Sequence, residues 1–272
     1  MDKPDPVTAI SEAEATGEIA EMFTDIRETM QIPLVTSIWR MLAHIEGGLS
    51  ALWEAAKPIF QTGLPAVALV QLLKQVKLPI PEPFAPGQLA CSGVSRADLE
   101  IIRTLIGAYN RSNGMNLLAL AALVVPPSGK PPPSPTASGP RQNWPELPSL
   151  QAPEEIDPAI WQLLEHLNRI GKATPPSGIA TLWRHLSHWP GLLAVIYAGL
   201  MPLHSDGSVE HSKKQIKDFV RREGGRLAHL RPGKLSIPEE ARQLIEEYAI
   251  EPGRVVRMVS IGHGLARWLE TE

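Results

Sequence analysis

One stretch of this chain is written twice. The first copy reads Ile38-Trp39-Arg40-Met41-Leu42-Ala43-His44-Ile45-Glu46-Gly47-Gly48-Leu49, and the second reads Leu182-Trp183-Arg184-His185-Leu186-Ser187-His188-Trp189-Pro190-Gly191-Leu192-Leu193. Aligned without gaps, Trp39 falls on Trp183, Arg40 on Arg184, Leu42 on Leu186, His44 on His188, Gly47 on Gly191 and Leu49 on Leu193. The same register carries Trp53 onto Tyr197 and Pro58 onto Pro202. With 7 tryptophans and 8 histidines in the whole chain, such coincidences point to an internal duplication. Any fold for the chain must then accommodate two related halves.

Helical periodicity runs through both halves. Ser11 opens a pattern with Glu12 and Glu14 in its first turn, where carboxylates suit the positive end of a helix dipole. Ile19, Met22, Phe23 and Ile26 then make one apolar helix face, and Pro33 breaks the run and starts the next helix. Gly47-Gly48 ends the helix that carries the first tryptophan–arginine pair. Further helices are expected around 49–62 and 64–78, followed by a proline-rich connection over 79–95. Ser95-Arg96-Ala97-Asp98 fits a capping box before a run reaching Tyr109. Asn110-Arg111-Ser112-Asn113-Gly114 reads as a polar break before a very apolar helix over 115–125.

Ten of the 27 prolines lie between 126 and 153, which marks a linker expected to cross the surface. The second half restarts at Ile156-Asp157-Pro158 with Trp161, Leu164 and Leu167 on one face, and Pro175-Pro176 sits where Ile32-Pro33 sat. Helices are expected around 178–188, 190–203, 209–229, 238–250 and 253–270, with a turn over 230–236. No clean alternating strand pattern appears. The expected fold is all-α: a helical repeat over 1–125, a linker over 126–154 and a second repeat over 155–272, each of about six helices, packed as one pseudo-dimeric unit.

Composition excludes several functional classes. A net charge of −3 and a pI near 6.3 argue against nucleic acid as the main partner. One cysteine, Cys91, leaves no disulfide framework, CxxC pair or thiolate zinc site within a chain. No apolar run reaches the roughly 20 residues of a membrane span, and Met1 to Asp5 lack the basic head of a signal peptide. A cytoplasmic location and no membrane are the expectations. The apolar helix 115–125 could pack within one subunit or between two, which leaves a homodimer open.

Familiar catalytic signatures such as GxGxxG, Walker A, HExxH and GxSxG are absent. His185 and His188 lie one helical turn apart, as two metal ligands on one face would, or as the polar edge of a packed helix. Asn110 and Asn113 could aim amides at a carboxylate ligand or cap the helix near Gly114. Trp39 and Trp183 read as core residues at equivalent positions. Arg40 and Arg184 could hold an anion bidentately or pair with neighbouring carboxylates.

The chain resembles the group I 2-haloacid dehalogenases, the DehI family. The likeness rests on Gly17-Glu18-Ile19-Ala20 through Asp25-Ile26-Arg27, on Pro33, and on Trp39-Arg40-Met41-Leu42-Ala43. Tyr109-Asn110-Arg111-Ser112-Asn113 leading into Asn116-Leu117-Leu118-Ala119-Leu120, and Trp189-Pro190, complete it. The resemblance implies an all-helical, two-halved hydrolase of short 2-haloalkanoic acids, acting on both enantiomers without cofactor or metal. An aspartate would activate the water that displaces halide directly. It also implies that Asn113 contacts the substrate, with Leu34 and Ser37 at two pocket positions that are aromatic in the family. The serine–aspartate pair of the family falls on Thr181-Leu182, so the general base has no counterpart there. Between Glu165 and Asp206 the chain holds no carboxylate. Asp25, Glu165 or His185 are the groups that could substitute in space. A non-catalytic binder of a small carboxylate or apolar ligand on the same scaffold is the alternative. The helical AhpD-like proteins offer a related architecture, with the redox chemistry disfavoured by the missing CxxC.

Overall fold

Ser11 and Glu14 bond to each other at the entry to the chain: the Ser11 N–H donates to Glu14 Oε2 (3.1 Å) and the Glu14 N–H to Ser11 Oγ (3.1 Å). This closes one turn only. The helix expected from Ser11 begins at Gly17, whose φ of 54° lies in the left-handed region and interrupts helical continuation. The protein is seen here as a computed structural model that describes residues 9–133, 144–171, 178–233, 236–251 and 253–271. The first eight residues, the middle of the proline-rich linker and the Pro175-Pro176 break lie outside the described residues.

The described residues form twelve α-helices and no strand. Before the linker come α1 (Gly17–Met30), α2 (Ser37–Leu42), α3 (Gly48–Gln61), α4 (Leu64–Gln75), α5 (Gln88–Cys91) and α6 (Arg96–Val124). After it come α7 (Pro158–Arg169), α8 (Thr181–His185), α9 (Pro190–Ser205), α10 (Ser208–Leu227), α11 (Glu239–Ala249) and α12 (Val256–Leu269). Among the described residues no single helix is long and apolar enough to cross a membrane.

The apolar faces assemble into two cores, and neither is confined to one side of the linker. Phe23, Ile26, Trp39, Leu52, Trp53 and Ile59 pack with Leu117–Leu123 of α6 and with Ile216, Phe219 and Ile245 of α10 and α11. The other core joins Trp161, Leu164, Trp183, Leu192 and Ile196 of α7–α9 to Ile102, Leu105 and Tyr109 of α6 and Ile261 of α12. Helix α6 therefore serves both cores, its first half in one and its second half in the other.

The expected polar break at 110–114 does not occur; α6 runs unbroken through it. The reason is that each polar side chain there finds a tertiary partner instead of competing for the local backbone. Asn110 Nδ2 donates to the Gly262 carbonyl (2.9 Å), Ser112 Oγ pairs with Thr36 Oγ1 (3.0 Å), and Asn113 Oδ1 accepts from the Tyr248 hydroxyl (3.4 Å). Asn116 accepts from Trp39 Nε1 (3.0 Å) and donates to Thr36 Oγ1 (3.0 Å). The start of α6 carries the expected Ser95–Asp98 capping box, and Asp98 Oδ1 also accepts from Trp189 Nε1 (3.0 Å), tying α6 to the entry of α9.

The two aligned glycines of the repeated stretch serve different ends. Gly47 adopts φ 65°, a left-handed conformation that other residues avoid. Gly191 instead lies against the Ser92 backbone, where a Cβ would fall on the carbonyl oxygen. Gly191→Ala therefore forces two backbones apart and is expected to cost about 1–3 kcal/mol. Urea unfolding measures this, and a midpoint equal to the parent's would refute the close approach.

His263 of α12 is buried; it bonds to the Asn110 backbone, while its Nε2 has no hydrogen-bond partner among the described residues. Burial, the leading cause, pushes the imidazole down to about 4. Above pH 6.5 the ring is neutral in both folded and unfolded chain. Between pH 6.5 and 4 the unfolded chain takes up a proton that the folded one refuses, so stability falls as pH falls, by about 3 kcal/mol in all from this residue. His263→Leu should remove that part of the pH dependence, and parallel stability–pH curves for the two proteins would contradict it.

Candidate functional site

Helix α8 is short because Pro190 follows closely and keeps Trp189 out of the helical conformation (φ −125°, ψ 72°), after which α9 starts afresh. A 3-10 turn over Leu186–His188 fills the gap. This compact turn presents Arg184, His185, Ser187 and His188 to the end of the proline-rich segment. Arg184 donates to the Gln151 carbonyl (2.7 Å) and Ser187 Oγ to Gln151 Oε1. His185 Nε2 donates to the Pro148 carbonyl (2.6 Å) and His188 Nε2 to the Ser149 carbonyl (2.8 Å). On the far side Trp144 Nε1 donates to the carbonyl of Gln31 (3.1 Å), the αL residue that ends α1. The segment over 144–152 is thus a strap held at both ends.

Beneath the strap lies a cleft of about 1240 Å³. Its walls come from the entry segment (Ser11, Glu12, Glu14), the α1–α2 connection (Gln31 to Val35), Arg40, Tyr109, the strap itself, Arg184 and His185. The inner groups differ from those at the mouth. Tyr109 and His185 are buried, with the Tyr109 hydroxyl 3.2 Å from His185 Nδ1. Desolvation pushes the tyrosine up to about 12, against the opposing influence of the Thr181 hydroxyl, Arg40 and Arg184. Both arginines therefore act on the same hydroxyl with positive charge. Desolvation also pushes His185 below the ordinary histidine range, so the ring is neutral near pH 7. A carbonyl only accepts, so Nε2 carries the ring hydrogen and Nδ1 is the acceptor for Tyr109.

The carboxylates lie differently. Glu12 accepts from the Val35 N–H (2.7 Å) and is ion-paired with Arg27. Glu14, Glu28, Glu146 and Glu154 line the mouth with exposed side chains. The cleft thus has a cationic, hydrogen-bonding interior and an acidic, solvated rim.

Of the residues singled out in the sequence, the structure brings Leu34, Arg40, Tyr109, Arg184 and His185 to this cleft. Thr181 touches it through Tyr109. Asn113 does not line it: the residue is inside α6, bonded to Tyr248, and neither caps a helix nor reaches the cavity. Asn110 is spent on the α6–α12 contact. Ser37 starts α2 outside the lining. Trp39 and Trp183 are fully buried in separate cores, and Trp183 Nε1 has no hydrogen-bond partner among the described residues. Leu182 is buried among apolar side chains.

Asp25 is bound by Trp53 Nε1 (2.7 Å) and Lys57 Nζ (2.7 Å), and neither it nor Glu165 lines the cleft. His185 and His188 share one face but use it to hold the strap, and among the described residues no cluster of three metal-ligating side chains occurs. The strap is the part that sequence reasoning missed. Trp144, Leu147 and Leu150, half-buried residues within a proline-rich tract, were the available signal.

No family model matches the chain. In sequence it is similar to a configuration-inverting 2-haloacid dehalogenase of Alcaligenes xylosoxydans xylosoxydans, with 28% identity over 124 residues, 45% of this chain and 42% of that protein. A second such enzyme, from Pseudomonas sp. (strain 113), is 24% identical over 110 residues, 40% of this chain and 36% of the relative. The match spans less than half the length of either relative. Among solved structures, a D-2-haloacid dehalogenase with L-LA superimposes with a TM-score of 0.73 at 12% identity, covering 97% of this chain and 96% of that one. A mutant of a D-2-haloacid dehalogenase in complex with D-2-CPA gives 0.68 at 13% identity, covering 97% and 94%. The chain is a distant homologue of the configuration-inverting 2-haloacid dehalogenases and shares the helical fold over nearly its whole length.

The bonds that hold the strap over 148–151 come from one short stretch, Arg184 to His188. The double substitution Ser187→Ala, His188→Ala removes two of the side chains donating to it while sparing the cleft interior. Limited proteolysis within 144–152 is expected to accelerate, and an unchanged cleavage rate would show that the remaining contacts suffice.

Proposed function

We propose that this protein takes a short 2-haloalkanoic acid into the cleft under the strap and hydrolyses it, water displacing halide without a covalent ester. The observation that carries the reading is that Arg40 and Arg184 line the same cleft as the buried Tyr109, which makes the interior of the cleft favourable to a carboxylate. The distant relationship to 2-haloacid dehalogenases supplies the substrate class. At about 1240 Å³ the cleft is larger than a three-carbon acid fills, so the two arginines would define the occupied part.

A second reading, a small-carboxylate binder without turnover, is favoured by one feature. Leu182, the position to which the resemblance assigns the water-activating aspartate, is buried and apolar. Any hydrolysis must draw its base from elsewhere. We also infer that the chain is internally duplicated, with repeats over 1–125 and 155–272. The aligned tryptophan–arginine stretches and the six helices found on each side of the linker among the described residues support this.

Calorimetric titration with D- and L-2-chloropropionate tests binding separately from turnover. Saturable binding is expected, weakened about tenfold or more by Arg40→Gln or Arg184→Gln, as loss of a charged hydrogen bond implies. Binding that is absent, or indifferent to both substitutions, would overturn the assignment of the cleft. Chloride release by the parent separates the hydrolase from the binder.

A further inference from the structure

Two buried polar rings meet at the inner end of the cleft. Tyr109 comes from the middle of α6 and His185 from α8, with ring centroids 5.9 Å apart and planes at 81°. Their hydroxyl–Nδ1 separation is 3.2 Å, and Nε2 is anchored 2.6 Å from the Pro148 carbonyl. That carbonyl fixes the tautomer and leaves the Nδ1 lone pair pointing at the phenol, the arrangement of a base oriented by a third group. The other carboxylates of the cleft are poorly placed for the role: Glu12 is committed to Val35 and Arg27, and the rest stand exposed at the mouth.

Resting on the reading that the cleft binds a 2-haloacid, we propose that Tyr109, with His185 behind it, is the general base that activates the hydrolytic water. The water donates to the Tyr109 oxygen while the phenolic proton moves to His185 Nδ1. As the water O–H bond breaks, its oxygen pair forms the new bond to C2, and the C–halogen bond breaks with its electrons leaving on the halide. The phenol regains a proton from the water, the imidazole becomes imidazolium, and release of that proton to solvent resets the pair. The charged groups facing the pair are Arg40 from α2, Arg184 from α8, Glu12 from the entry segment and His188 from the following turn. Arg184 and His188 oppose a proton on His185, whereas the Pro148 carbonyl favours it. Tyr109 is the catalytic residue and His185 acts through it.

The test combines D- and L-2-chloropropionate binding, chloride release and a pH profile. In the parent, kcat/KM is expected to rise with pH and level off at a pKa below 6.5, as His185 loses its proton. Tyr109→Phe should bind the acids yet release chloride about 10²–10⁴-fold more slowly. His185→Gln should show a comparable loss and no acid limb in the profile, which a merely structural role would leave in place. Thermal melts verify folding of each variant, and either one that folds suffices. Failure of the parent to bind either enantiomer overturns the underlying reading. Binding with no chloride release by the parent, or parent-like rates in a folded variant, overturns the base assignment alone.

Discussion

The continuity of α6 is the constraint on which everything else hangs. Its 29 residues span about 44 Å at 1.5 Å per residue, long enough to enter both hydrophobic cores. The point of greatest risk is the polar stretch from Asn110 to Asn116, where a free peptide would readily fray. There Asn110 is held by α12, Asn113 by Tyr248 of α11, and Ser112 and Asn116 by Thr36 and Trp39. A buried polar group left unpaired costs about 1–3 kcal/mol, so these bonds keep the helix from breaking where its sequence would allow it. Because the helix persists, Tyr109 is delivered to α8.

The cleft shows how burial and charge divide its chemistry. Tyr109 is a weak acid because water is excluded from it, although two arginines and Thr181 pull the other way. His185 is a neutral ring for the same reason, with its tautomer set by a strap carbonyl. The strap therefore does more than close one side of the cavity: through Pro148 it determines which nitrogen of His185 faces Tyr109. The carboxylates are kept outside this interior or bound to arginine, which preserves a positive interior in a chain of net charge −3.

Much of the fold was legible. The amphipathic spacing in α1, the capping box at Ser95 and Asp98, and Pro190 at the head of α9 all act through local chemistry, and each appears where the pattern puts it. The distant relationship to 2-haloacid dehalogenases was legible too, in the order of short motifs around Trp39, Tyr109 and Trp189. The site was legible only in part. Arg40, Arg184, Tyr109 and His185 stood out as residue types and line the candidate cleft, whereas Asn113, with an amide suited to a ligand contact, lies inside α6 bonded to Tyr248. Side-chain amides look alike in sequence whether they face a cavity or a neighbouring helix.

By itself the sequence determined the helices, their caps, the repeated tryptophan–arginine stretch and the absence of a carboxylate near Leu182. Those are properties of periodicity and identity, which need no partner to be expressed. Only the tertiary structure decided that α6 runs through its polar stretch, that Arg40 and Arg184 line one cleft, and that a proline-rich tract becomes its wall. Each of these depends on hydrogen bonds between residues some 30 to 150 positions apart, and no local pattern encodes such a pairing.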